Sequence, residues 1–220
     1  MRRLLVKTIA PFLRLFAKLY FTKPRRFNYK QIKGVILPTV FHPFFTISTK
    51  LLLFFVDTLK VDGKKLLELG CGTGMISCLA AANGGIVTAT DINPKAVENA
   101  RLNAERNHLK VDAFISDLFD NIPQQIFDFI IINPPYYPKD PLTSAEEAWF
   151  CGSEFEYFEK LFAQIKNYMD EQSEVYMILS EDCDLDRIQS IGKTQDLRFL
   201  AVFSKKRMGE KNFLFRLVVD

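Results

Sequence analysis

The chain has 220 residues, of which 48% are hydrophobic and 25% charged, with 10 glycines and 10 prolines. Since domains usually contain about 100 to 200 residues, one globular domain with at most a short appendage is predicted, and collagen-like or highly charged disordered chains are excluded. The longest apolar run, 51–56, is far shorter than the about 20 residues of a membrane-spanning helix, and cations interrupt any signal-peptide core near the start. We therefore expect a cytoplasmic protein without a transmembrane segment.

The net charge of +3 hides a strong asymmetry along the chain. Residues 1–56 contain eleven Lys or Arg and no acid, which leaves 18 basic against 26 acidic groups, a net charge of −8, in the rest. Within 4–20, apolar residues recur every three or four positions with cations between them, which predicts a basic amphipathic helix. Two interpretations stay open: residues 2–33 contact phosphate backbones or anionic lipid, or the helix packs on the main domain with a solvated basic face.

The cysteines and histidines give no sign of a metal site. Cys71, Cys78, Cys151 and Cys183 do not have the spacing of zinc ligands, and the chain has only two histidines. We expect reduced, mostly buried thiols and no metal.

The order of predicted elements indicates an α/β fold. Three prolines among β-branched and aromatic residues in 23–43 predict a linker and a short hairpin, so that 1–47 is an extension and 48–220 the main domain. After residue 64, strands alternate with helices, as in a parallel sheet covered on both faces. The predicted strands are 65–69, 86–91, 112–116, 127–132, 174–179, 198–204 and 213–219, the last antiparallel after a basic turn at 205–209. The predicted helices are 48–58, 75–82, 95–107, 155–168 and 185–191.

A glycine-rich turn follows the first of these strands. The segment 67–74 reads Leu-Glu-Leu-Gly-Cys-Gly-Thr-Gly, and glycines at such a turn let the backbone approach a ligand at the carboxyl edge of the sheet. The glycines are Gly70, Gly72 and Gly74, which is not the G-x-G-x-x-G spacing, so pyrophosphate binding is disfavoured. Glu68 would repel a phosphate and attract an ammonium group. A tight structural turn is the alternative interpretation.

Single carboxylates end the next two strands. Asp91 can accept both hydrogen bonds of a ribose diol, unless it caps the helix that begins near Pro94. Asp117 can accept a hydrogen bond from an adenine amino group while Leu118 or Phe119 covers the ring. Capping of a turn is the competing interpretation of Asp117.

The fourth strand runs into the sequence Asn-Pro-Pro-Tyr at 133–136. Two consecutive prolines remove backbone donors, so the turn offers carbonyl oxygens. The Asn133 amide oxygen and the Pro134 carbonyl can together accept both hydrogens of one planar NH₂ group, and Tyr136 can stack on its plane. These residues predict a site that receives an amide or amino nitrogen, with a purely structural turn as the alternative.

Together these motifs resemble the S-adenosylmethionine-dependent methyltransferases with an NPPY motif, and most of all the HemK type, which modifies a glutamine side chain of peptide release factors. Residues 148–152 are similar to that family's A-W-x-G-G segment, 207–210 to its terminal hairpin, and Thr49 to the threonine of an element ahead of the first strand. The resemblance covers 42–220. The bacterial enzymes' larger amino-terminal helical domain has no counterpart here, and Cys151 stands in the A-W-x-G-G segment where a glycine is expected.

This resemblance implies a Rossmann-like, seven-stranded, mostly parallel sheet and S-adenosylmethionine as cofactor. The implied catalytic residues are Asn133, Pro134 and Tyr136. The implied cofactor-binding residues are Thr49, Glu68, Gly70, Gly72, Gly74, Asp91, Ile92, Asp117, Leu118 and Asn133. The implied acceptor is a protein glutamine. One alternative is the exocyclic amine of an RNA or DNA base, with the basic end holding phosphates, and another is a non-catalytic nucleoside-binding module.

Overall fold

A computed structural model of the chain describes residues 22–41, 47–143, 146–207 and 209–220. The predicted basic helix over 4–20 lies outside these ranges. The strands in the described part are β1 (Arg25–Tyr29), β2 (Ile32–Ile36), β3 (Lys65–Leu69), β4 (Ile86–Asp91), β5 (Val111–Ile115), β6 (Phe129–Ile132), β7 (Glu174–Ser180), β8 (Leu197–Arg207) and β9 (Glu210–Val219). The helices are α1 (Ile47–Val56), α2 (Met75–Ala82), α3 (Pro94–Arg106), α4 (Glu156–Ile165), which continues as a 3-10 turn over Lys166–Tyr168, and α5 (Leu185–Thr194).

Seven strands form the main sheet in the order β5-β4-β3-β6-β7-β9-β8. From β5 to β7 all neighbours pair parallel, and β9 is antiparallel to both β7 and β8, as the sequence predicts. The chain order reverses at β3, with β4 on one side of it and β6 on the other. Open α/β sheets bind ligands at such a switch point, beyond the carboxyl ends of the strands.

Helices cover both faces of this sheet because its central strands are apolar on both sides. Leu67 packs in one buried cluster with Phe158 of α4, whereas the adjacent Leu66 packs in another with Leu52 of α1. Alternate residues of a strand point to opposite faces, so α1 and α2 lie on one face and α4 on the other. The four cysteines are buried, as expected.

The sequence-predicted boundaries differ most at the end of the chain. The last two strands are longer than predicted, because the ladder between β8 and β9 continues through polar residues such as Lys205, which pairs with Asn212. Backbone hydrogen bonds hold such a ladder whatever the hydrophobic pattern. A bulge between Ala201 and Phe203 interrupts the register.

The predicted short hairpin is present as β1 and β2, a separate two-stranded antiparallel sheet. It packs on α2 and α3. None of the helices in the described ranges has the length and apolar character needed to cross a bilayer.

Candidate functional site

A cavity of about 380 Å³ opens at the carboxyl ends of β3 and β6. Small-molecule sites usually have volumes of about 300–1,000 Å³. Of the residues predicted from the sequence, those that line this cavity are Thr49, Glu68, Gly70, Gly72, Asp91, Ile92, Asp117, Leu118, Asn133, Pro134 and Tyr136. The fold therefore brings together side chains that are up to 87 residues apart in the chain, from Thr49 to Tyr136.

The glycines of the turn after β3 have different surroundings. Gly70, Gly72 and Gly74 all have positive φ, at 72°, 51° and 68°. A Cβ at Gly70 or Gly72 would meet no atom within 4 Å, whereas a Cβ at Gly74 would lie 2.6 Å from the Cβ of Ala100. Gly74 does not line the cavity; it lets α2 begin directly against α3.

Glu68 lies at the base of the cavity and is 4% exposed. Its carboxylate accepts hydrogen bonds from the backbone N–H of Ser77, at 2.8 Å, and from the Ser77 hydroxyl. Burial raises the pKa of Glu68 from 4.5 to about 8. The first turn of α2 thus holds an acidic group that has lost most of its contact with solvent.

Asp91 braces the glycine-rich turn. Its two carboxylate oxygens accept hydrogen bonds from the N–H of Gly72, at 2.8 Å, and of Asn93, at 2.9 Å. The N-cap of α3 is Asn93, whose side chain accepts a hydrogen bond from the N–H of Lys95. Asp91 is therefore not the cap of this helix, which removes the alternative interpretation of that residue.

Asp117 belongs to a small ionic cluster at the far end of the cavity. Lys160 of α4, which also lines the cavity, bridges Asp117 and Asp120 with two N–O distances of 2.6 Å. Leu118, with φ at 50°, lines the cavity. Phe119 does not, because it is buried and stacks on Tyr168 with a ring separation of 4.4 Å. Of the two candidates for covering a base, Leu118 is the one in position.

Asn133 follows β6 and lies beside α1. Its amide nitrogen donates to the hydroxyl of Thr49 at 3.4 Å. An amide that donates through Nδ2 presents Oδ1 as its acceptor. Thr49 thus lines the cavity and also contacts the amide of Asn133.

The loop 146–152 is fastened to the Asn-Pro-Pro-Tyr turn. The N–H of Tyr137 donates to the carbonyl of Trp149, and the N–H of Cys151 donates to the carbonyl of Tyr137, each at 3.0 Å. Burial raises the pKa of Tyr136, so its hydroxyl stays protonated. Trp149, Phe150 and Cys151 all line the cavity.

Several residues of the cavity wall were not among the predicted site residues. Thr39 and Phe41 come from the segment assigned to the extension, and Tyr157 and Lys160 come from α4. No local motif distinguishes Lys160, because its partner Asp117 is 43 residues away. Phe41 contacts Trp149, which also lines the cavity, with ring centroids 4.9 Å apart.

Comparison with known proteins agrees with this geometry. A sequence model described as "Methyltransferase small domain" matches residues 37–187. The chain belongs to this family. This methyltransferase is 31% identical to a protein of Methanocaldococcus jannaschii that carries the provisional name protein N5-glutamine methyltransferase, over 80% of this chain and 90% of that protein.

Other relatives of this methyltransferase have different names. It is 40% identical to the ribosomal RNA small subunit methyltransferase C of Haemophilus influenzae over 92 residues, which are 41% of this chain and 27% of that enzyme. Its fold matches the tRNA (uracil-54, C5)-methyltransferase of Pyrococcus abyssi in complex with S-adenosyl-L-homocysteine, with a TM-score of 0.63 and 19% identity over 89% of this chain and 44% of that chain.

This small-domain methyltransferase is an S-adenosylmethionine-dependent enzyme. The residues of the cavity fit that cofactor. Gly70 and Gly72 leave open space for close approach, and the carboxyl groups of Glu68, Asp91 and Asp117 all belong to residues that line the cavity. Three acceptors and few cations suit a ligand that carries an ammonium group, a ribose diol and an amino group.

Proposed function

We propose that this methyltransferase transfers a methyl group to the side-chain amide nitrogen of a protein glutamine. The observation that carries the proposal is the amide of Asn133, which contacts Thr49 and lines the cavity beside a turn of two prolines. The similar protein of Methanocaldococcus jannaschii, of which 90% aligns with this chain, bears the name of a glutamine methyltransferase. This name supports the same acceptor.

The chemistry explains why two acceptors are needed. S-adenosylmethionine supplies an electrophilic methyl group on a sulfonium. An amide nitrogen is a poor nucleophile because it shares its lone pair with the carbonyl. With Asn133 Oδ1 and the Pro134 carbonyl oxygen each accepting one N–H, the nitrogen is held in line, and the positive charge that develops on it is stabilised. As the bond from nitrogen to the methyl carbon forms, the bond from that carbon to sulfur breaks, and its electron pair stays on the sulfur of S-adenosylhomocysteine. The nitrogen then releases one proton to solvent.

In this proposal the other lining residues hold the cofactor. Asp91 accepts hydrogen bonds from the ribose diol, and Asp117 accepts one from the adenine amino group, with Leu118 and Ile92 against the ring. Glu68 faces the ammonium group. Gly70 and Gly72 allow close approach of the backbone, and Thr49 keeps the amide of Asn133 in its orientation.

The second candidate acceptor is an RNA base amine, which the similarity to a ribosomal RNA methyltransferase supports. The charge beside the cavity favours a protein. Residues 139–160 contain six acidic side chains and two lysines, a net charge of −4. Both lysines are engaged, Lys160 with two carboxylates and Lys139 over the ring of Phe150. An RNA backbone lying along this wall would meet like charge, which costs affinity.

The test is turnover of Asn133→Ala on a glutamine-containing acceptor peptide. Loss of one preorganised polar contact typically lowers kcat by about 10²- to 10³-fold. We expect that loss with little change in the affinity for S-adenosylhomocysteine, measured by calorimetry. Asn121→Ala, an exposed asparagine that does not line the cavity, is the matched control and should keep full turnover. Full activity of Asn133→Ala would refute the proposed role.

A further inference from the structure

Two aromatic side chains from distant parts of the chain meet at the cavity. Phe41 and Trp149 both line it, with ring centroids 4.9 Å apart and planes at 57°. Phe41 follows the hairpin on the side of α3, and Trp149 follows the Asn-Pro-Pro-Tyr turn. Their contact therefore joins a segment ahead of α1 to a segment after β6 at the cavity.

The hairpin that leads to Phe41 is held by asparagines of α3 and its C-cap. Asn99 and Asn103 lie in α3 and Asn107 is the C-cap residue, and their spacing of four places them on one face of the helix. Their amide oxygens accept from the backbone N–H groups of Leu37, Val35 and Lys33, each at 2.8 Å. Their amide nitrogens donate back to backbone carbonyls, Asn99 and Asn103 to that of Val35 and Asn107 to that of Lys33, at 2.7 to 3.0 Å. We name these three residues the asparagine ladder.

The ladder works because helix and strand have nearly the same repeat. Four residues of an α-helix rise about 6 Å, and two residues of a strand advance about 6.6 Å. Successive asparagines of the ladder thus hydrogen-bond to alternate residues of the segment 33–37, as the backbone of a neighbouring strand would. Asn99 and Asn103 are fully buried, so loss of these bonds would leave buried polar groups without partners.

The ladder also reaches the glycine-rich turn. The amide nitrogen of Asn103 donates to the carbonyl of Thr73, at 2.8 Å, as well as to that of Val35. At the other side of β2, a Cβ on Gly34 would lie 2.4 Å from the sulfur of Met75. The hairpin, the turn and the start of α2 are therefore one packed unit, although β1 and β2 lie outside the region 37–187 that the family shares.

We propose that Phe41 and Trp149 form an aromatic roof over the bound cofactor, and that Asn99, the residue of the asparagine ladder that hydrogen-bonds nearest to Phe41 in the chain, positions Phe41 in that roof. The roof shields the cofactor from solvent and narrows the opening through which the acceptor enters beside Tyr136. Residues 25–41 are on this account part of the active site. The place where the acceptor enters rests on the proposed function. The roof itself rests only on the binding of the cofactor.

Trp149 is the only tryptophan of the chain, so its fluorescence reports on the roof alone. Phe41→Ala removes the ring that contacts Trp149, and we expect the emission of the free protein to shift to longer wavelength. The affinity for S-adenosylhomocysteine should fall about tenfold, since a phenyl ring no longer covers the ligand. Phe54→Ala, an exposed phenylalanine of α1 away from the cavity, is the matched control and should change neither.

The ladder is tested by comparing its two ends. Asn99→Ala removes the hydrogen-bond acceptor of the Leu37 N–H, four residues before Phe41. Asn107→Ala removes the acceptor of the Lys33 N–H, at the end of the ladder farther from Phe41 in the chain. We expect Asn99→Ala to shift the Trp149 emission and weaken S-adenosylhomocysteine binding several-fold, and Asn107→Ala to leave both near wild type at a temperature where thermal scans show each variant folded.

Unchanged emission and affinity in Phe41→Ala would overturn the roof, and equal effects of Asn99→Ala and Asn107→Ala would overturn the positioning role of Asn99. If Asn99→Ala does not fold, Asn99→Ser, which keeps a shorter polar side chain, is compared with Asn107→Ala by the same two measurements. Neither readout uses a methyl acceptor. A wild-type protein that methylates no glutamine would therefore defeat the proposed function and leave the roof standing.

Discussion

Single residues in this molecule carry more than one task. Asp91 supports the glycine-rich turn through Gly72 while its carboxylate lines the cavity. Thr49 lines the cavity and accepts from the amide of Asn133. Asp91 ends β4 and Asn133 follows β6, so both stand where a motif at a strand end points, whereas Thr49 lies in α1. The motifs do not reveal the partner of Asn133, because Thr49 is 84 residues away in the chain.

Glu68 makes the stability of the free protein depend on pH. Its pKa is 4.5 as an ordinary carboxyl and about 8 in the fold, chiefly because of burial. Because the pKa is higher in the folded state, the unfolded chain releases this proton at a lower pH than the folded protein does. The contribution of Glu68 to the free energy of unfolding is therefore fully present below pH 4.5 and is lost as the pH rises towards 8. We expect the contribution of Glu68 to Tm to decrease over this range, and Glu68→Gln, which keeps the size of the side chain, to remove that decrease in thermal scans. Parallel Tm profiles of the two proteins would contradict the burial of this charge.

At the scale of elements, different glycines of the turn between β3 and α2 serve different purposes: Gly70 and Gly72 leave space for a ligand, and Gly74 allows close packing against α3. Gly74 and Gly63 have nearly the same φ, 68° and 67°, but only at Gly74 would a Cβ clash, with Ala100 of α3. Both alanine variants carry the same left-handed strain of about 1–2 kcal/mol.

We therefore expect Gly74→Ala to lower the free energy of unfolding by about 1–3 kcal/mol more than Gly63→Ala, the usual cost of overpacking. Urea denaturation of the two variants measures the difference. Equal destabilisation would show that Gly74 is not needed for the contact between the turn and α3.

The asparagine ladder shows why some elements escape prediction. Its hydrogen bonds join residues that are 62 to 74 positions apart in the chain, so no short sequence pattern contains both partners. One local sign was present. Asparagine is a poor helix former, and Asn99 and Asn103 at four-residue spacing inside α3 indicate that this face has a specific partner.

At the scale of the whole molecule, the sequence predicts the fold because its signals are local and repeated. Strands such as β6, apolar at every position, can only lie in the interior of a covered parallel sheet, and the turns at their carboxyl ends then converge. The cavity wall from Thr39 to Phe41 could not be predicted in this way. The prolines among β-branched and aromatic residues in 23–43 predicted a linker and a short hairpin in an extension over 1–47, and this pattern does not show which part of the main domain the hairpin packs on.

The central claim is that the acceptor nitrogen belongs to a protein glutamine, and labelling of a whole-cell extract tests it most directly. The purified protein is incubated with extract and S-adenosylmethionine carrying a labelled methyl group, and portions are then treated with protease or with ribonuclease. The account predicts label that protease releases and ribonuclease does not, and a methylated glutamine identified by mass spectrometry. Label released by ribonuclease alone would contradict it.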